Sequence, residues 1–152
     1  MPGGVPHYMR GMFRALTVTA APATATASTK AVAPSPDNAI QLSDFMFSLA
    51  NPITAGTHTF QVVTAPGQPH EVLVVRLDSG KTGQDYVKWT KTMKGPAPGQ
   101  AVGGTTAAGP GVVQVFTATF TPGDYLLICF VPDVKNGKPH FMEGDMRTVT
   151  VK

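Results

Sequence analysis

Charge is scarce in this chain: Asp, Glu, Lys and Arg make up 14% of its 152 residues, where an ordinary globular chain carries about 25%. The 12 Lys+Arg against 9 Asp+Glu leave a net charge of only +3, and no basic stripe forms, which argues against nucleic acid as a partner. Cysteine is nearly absent. Cys129 stands alone, which excludes an intrachain disulfide framework and any multi-cysteine zinc or iron–sulfur site. With four histidines, the chain cannot build within itself the larger histidine clusters that oxygen or nitrite chemistry needs. Long apolar runs are missing as well; none approaches the roughly 20 residues of a transmembrane helix. No Ser/His/Asp or paired-carboxylate arrangement stands out, and no glycine loop precedes a helix to cradle phosphate. The chain is therefore not read as an enzyme.

What it has in excess is Gly and Pro, 16 and 14 residues, together about 20% against a usual 12% or so. Many turns and short strands fit this better than helices do, and the length suits one domain with a real core. A repeat is visible: Gly4–Val18 aligns without gaps on Gly137–Val151 with eight of 15 pairs identical, where unrelated segments would share about one. Residues 1–18 accordingly read as the C-terminal remnant of a preceding homologous domain. A secretory signal is the competing reading, with Arg10 and Arg14 as basic flank, but threonines and Pro22 interrupt its apolar core. In residues 19–36, 16 of 18 are Ala, Thr, Pro or Ser, a stiff, extended linker with nothing to bury. The complete domain is expected over residues 37–152.

Within it, strands are expected in 39–49, where Phe45 and Phe47 stand two apart, and in 58–62, which alternates similarly. The nearly continuous apolar run Glu71–Leu77 suits a strand covered on both sides. In 83–93, Tyr86, Trp89 and Met93 share one helical face, which predicts a short helix. Residues 96–111 read as a glycine-rich loop. Strands at 112–120 and 125–131 are joined by the turn Thr121-Pro122-Gly123-Asp124; Asn136-Gly137 is a further tight turn, and 147–152 closes the sheet. About seven strands at regular intervals make an all-β, Greek-key β-sandwich with one short helix.

Certain residues stand out by type and setting. His70 follows Gln68-Pro69 at the start of a buried strand, Cys129 ends another, and His140 follows a turn. Met142 and Met146 flank Asp145 before the last strand. A copper centre that shuttles electrons needs one thiolate, two imidazoles in a rough trigonal plane, and a weak axial thioether or oxygen. His58, alone in a strand, reads as structural or solvated, and Trp89 as helix packing.

At these positions the chain resembles the cupredoxins, the plastocyanin-like blue copper proteins. Gly67-Gln68-Pro69-His70-Glu71-Val72 resembles their first histidine motif, and Pro122-Gly123-Asp124-Tyr125 running on to Cys129 looks like the stretch that delivers the thiolate. Pro139-His140 with Gly144 and the closing Thr148–Val151 resembles the second histidine and last strand. The resemblance implies copper held by His70, Cys129 and His140. Ten residues separate Cys129 from His140 where plastocyanin-like members have two, and Val131–Pro139 is expected to fold back as a hairpin. The axial place is open. The N-terminal copy has Met12 there, counted from His7, whereas the full domain has Asp145; Met146 comes one residue late, and Met142 is either a ligand or an apolar rim. No metal is expected at His7, whose copy lacks its cysteine.

An electron carrier is the implied function, with His140 near the surface beside an apolar patch of Pro139 and Phe141 facing a redox partner protein. A periplasmic or extracellular setting goes with it. The alternative is a metal-free, cupredoxin-like binding or structural module of a secreted multidomain protein.

Overall fold

The computed structural model describes residues 9, 11, 14–17 and 35–152. Most of the repeat segment, His7 and Met12 included, and the linker as far as residue 34 lie outside the described residues. In chain order the strands are β1 (Asn38–Ser43), β2 (Met46–Leu49), β3 (Gly56–Thr64), β4 (His70–Leu77), β5 (Gly99–Ala108), β6 (Val113–Phe120), β7 (Gly123–Ile128) and β8 (Met146–Val151); the helix α1 (Gly83–Thr90) falls between β4 and β5. They form two four-stranded sheets, ordered β2-β1-β3-β6 and β5-β4-β7-β8. β1 and β3 run parallel and every other neighbouring pair is antiparallel. This is a β-sandwich with one short helix.

Alternation explains the layers. In β1, Ile40 and Leu42 point inward, and in β3 Phe60 and Val62 do, meeting Val72, Val74, Tyr125 and Leu127 from the other sheet. β4 and β7 are apolar on both faces because α1 covers their far side: Val75, Leu77, Leu126 and Ile128 pack there with Tyr86. A capping box starts α1. Thr82 Oγ1 accepts from Asp85 N at 3.2 Å, and Asp85 Oδ2 accepts from Thr82 N at 3.0 Å.

At the β6–β7 corner, the Tyr125 hydroxyl accepts from Thr121 N and donates to Thr121 O, both at 3.0 Å. Such a tyrosine corner fixes where the following strand enters the sheet. β7 then delivers Cys129 to its end.

Four expectations need correction. Residues 96–111 are not a loop, since β5 occupies 99–108. This strand packs by close backbone approach rather than by bulk. A Cβ on Gly104, whose φ is 137°, would collide with the carbonyl oxygen of Val72, and the β4–β5 register carries two bulges. The stretch 39–49 is divided by a turn at Asp44-Phe45, where Phe45 takes a φ of 64°. The strand expected at 125–131 stops at Ile128. Finally, α1 ends at Thr90, so Met93 leaves the helical face and is exposed.

Candidate metal centre

His70 opens β4, Cys129 directly follows β7, His140 begins a 3-10 turn (His140–Glu143), and Asp145 immediately precedes β8. Backbone hydrogen bonds bind these segments into one frame. Cys129 N donates to Asp145 O at 3.1 Å, Phe141 N to Cys129 O at 3.0 Å, and Asp145 N to His140 O at 3.0 Å. The ten-residue excursion between Cys129 and His140 returns as a hairpin: His140 N donates to Val131 O at 2.8 Å and Pro132 pairs with Pro139.

One donor atom from each of His70, Cys129, His140 and Asp145 lies within 4.8 Å of all the others, and all four residues are buried. His140 Nδ1 is 3.2 Å from His70 Nδ1 and 3.6 Å from Cys129 Sγ. Asp145 Oδ2 is 3.0 Å from His70 Nδ1 and 3.8 Å from His140 Nδ1. The outer ring nitrogens face acceptors. His70 Nε2 donates to Asp44 Oδ1 at 3.1 Å, and His140 Nε2 to Gln68 Oε1 at 3.4 Å. In the tautomer with the proton on Nε2, each ring turns a bare Nδ1 lone pair into the cluster.

Burial sets the acid–base character. It pushes the Cys129 thiol up to about 12, so without a cation the group stays protonated at neutral pH. Burial also raises the Asp145 carboxyl above the ordinary carboxylate range, against the pull of His70. His140 is lowered, first by burial and then by the neighbouring His70. Asp145 Oδ1 is buried with no hydrogen-bond partner. A cation here would be held by the two Nδ1 lone pairs, the Cys129 sulfur as thiolate and the buried Asp145 carboxylate, and its charge would offset the cost of their burial. The donor set of two imidazoles, one thiol and one oxygen fits copper on grounds of softness and number.

The other expected residues are elsewhere. Met146 packs on the α1 side, its Sδ 3.9 Å from Gln84 Nε2, while Met142 is 57% exposed. His140 is not near the surface but fully buried, a correction to the expected exposed edge. Phe45 covers it, edge to face at a centroid distance of 5.5 Å. Phe141, only partly buried, packs on Phe130 in the cluster under α1. His58 hydrogen bonds Asp37 and Thr54, and Trp89 donates to Gly95 O and packs on Tyr86.

Sequence reasoning missed Asp44 and Phe45, whose turn carries no ligand-like spacing, and the role of Gln68. Gln68 Oε1 also accepts from Val134 N at 2.7 Å, and its Nε2 donates to Asp133 Oδ2 at 2.8 Å, which ties the hairpin to the first histidine motif.

No protein-family model matches the chain, and no curated protein matches it. Solved structures do. Dithionite-reduced auracyanin from the photosynthetic bacterium Roseiflexus castenholzii is 20% identical with a TM-score of 0.53, over 75% of this chain and 94% of that one. Auracyanin B is 17% identical with a TM-score of 0.50, over 80% and 93%. Rusticyanin from Thiobacillus ferrooxidans is 17% identical with a TM-score of 0.50, over 75% and 76%. These neighbours are cupredoxins, and the sandwich has the cupredoxin fold.

Proposed function

We propose that the chain is a mononuclear copper protein that transfers electrons, with His70 Nδ1, Cys129 Sγ, His140 Nδ1 and Asp145 Oδ2 as the donors that would hold the metal. The observation that carries this reading is the meeting of four buried donors within 4.8 Å of one another. Copper bound there supplies a one-electron couple between Cu(II) and Cu(I). The chain's own residues hold the donors in place: β4 is paired to β7 and the 3-10 turn is bonded to Cys129 through the backbone, and Phe45 and Gln68 cover His140. A carboxylate is a harder, more anionic donor than a thioether, so Asp145 favours Cu(II) and a low reduction potential. The dithionite-reduced state of the auracyanin neighbour supports a reducible centre in this fold. A redox partner protein and a periplasmic or extracellular setting belong to the same reading.

Copper-loaded protein should show an intense visible thiolate-to-copper band that Cys129→Ser abolishes. The second reading, a metal-free binding or structural module, draws on the 3.0 Å approach of Asp145 Oδ2 to His70 Nδ1, which closes the cluster by hydrogen bonding. A chain that leaves added Cu(II) colourless and unbound would select it.

A further inference from the structure

We propose that Asp44 is a positioning residue of this centre: its carboxylate orients His70 and places a negative charge against the outer edge of that imidazole. The inference rests on the metal-binding reading above. Asp44 belongs to the turn between β1 and β2, in one sheet, whereas His70, Cys129 and Asp145 lie at strand ends of the other. The turn therefore reaches across the sandwich.

One oxygen, Asp44 Oδ1, accepts from His70 Nε2 at 3.1 Å and from Gln68 N at 3.2 Å. A His70 that ligates through Nδ1 has that nitrogen bare and its proton on Nε2, and Asp44 Oδ1 is the acceptor that meets the proton there. The hydrogen bond from His70 also holds the Asp44 carboxyl below the ordinary range, although the side chain is 45% exposed.

Two features show that this approach is built into the backbone. Gly67 makes room for it: a Cβ there would stand 2.6 Å from Asp44 Oδ1. The next residue, Phe45, accepts a left-handed φ of 64°, a region that disfavours residues other than glycine, and in that conformation its ring meets His140. Adjacent residues of one turn thus touch both histidines. A turn acid with no further role needs no contact with a buried imidazole.

Full-length protein titrated with Co(II) against a competing chelator, and the reduction potential of the copper-loaded form, test this. Losing an outer partner of a ligating histidine weakens metal binding by about 10–100-fold, and Asp44→Ala should do so. Asp44→Asn keeps the shape and an acceptor but removes the charge; it should weaken binding less and raise the reduction potential, which a purely structural residue would not do. If Asp44→Ala does not fold, Asp44→Asn carries the test by itself. Variants that bind Co(II) within about twofold of the parent, with an unchanged potential, overturn the role of Asp44 alone. A parent that takes up no Co(II) overturns the metal reading with it.

Discussion

Two aspartates bracket β1, and each accepts a hydrogen bond from a histidine and one from a backbone N–H. Before the strand, Asp37 accepts from His58 Nδ1 at 2.8 Å and from Thr59 N at 2.8 Å; after it, Asp44 accepts from His70 Nε2 and Gln68 N. The pairs differ in what the second ring nitrogen meets. His58 Nε2 meets the Thr54 hydroxyl, 3.2 Å away, which can donate to it, so both nitrogens have partners and the ring is a clasp. His70 Nδ1 instead meets another imidazole and a buried carboxylate. An aspartate–histidine contact is thus no mark of a site in itself. The mark is an inner nitrogen aimed at further donors in a space closed to water.

That contrast is broken most directly at the rings. His70→Gln should cut Co(II) affinity by more than the roughly 100-fold that loss of an outer partner costs, while His58→Gln leaves it unchanged by the same chelator competition. Next in size is stability. Metal that binds only the folded state at 100 times its Kd adds about 2.7 kcal/mol, an upward shift of about 8 °C in Tm by calorimetry, and His70→Gln should abolish the shift where His58→Gln keeps it. Third, Asp145→Met exchanges a hard anion for a thioether; voltammetry should find a higher reduction potential and absorption an altered visible spectrum.

A pH dependence comes fourth. Because burial and His70 lower His140, the unfolded chain takes up that proton first. This contribution is present above the unfolded value of about 6.5 and is lost as pH falls through the folded one. The urea midpoint of chelator-treated protein should fall between about pH 7.5 and 5.5, and the fall should be smaller in His140→Gln. Smallest is the clasp itself: His58→Gln should lower Tm by less than metal binding raises it.

Much of this architecture was legible because strands with one or two covered faces leave regular apolar patterns, as in Glu71–Leu77. Tyr125 and Cys129 were readable for the same reason, since a Pro-Gly turn sets the start of the strand that carries them. β5 was not, because Gly103 and Gly104 pack through the absence of side chains. Asp145 could be placed by its offset from His140, but its inward direction depends on the 3-10 turn ending at Gly144, whose φ is 116°. Asp44 and the burial of His140 had no local sign. Both arise from a turn in the opposite sheet, far away in sequence.

The hairpin between Cys129 and His140 separates chain length from ligand geometry. Its base is closed by Val131, Pro132 and Pro139, and Asp133 holds its bend by accepting from Lys135 N and Asn136 N, both at 2.9 Å. Beyond that clamp Val134 N is tied to Gln68 Oε1 at 2.7 Å, while the Asn136 side chain turns to Glu143, 3.3 Å away. Lengthening a loop costs only about 0.6 kcal/mol per doubling, so the tip can take added length with little effect on the centre beneath, as long as the Asp133 clamp and the Val134–Gln68 bond are kept.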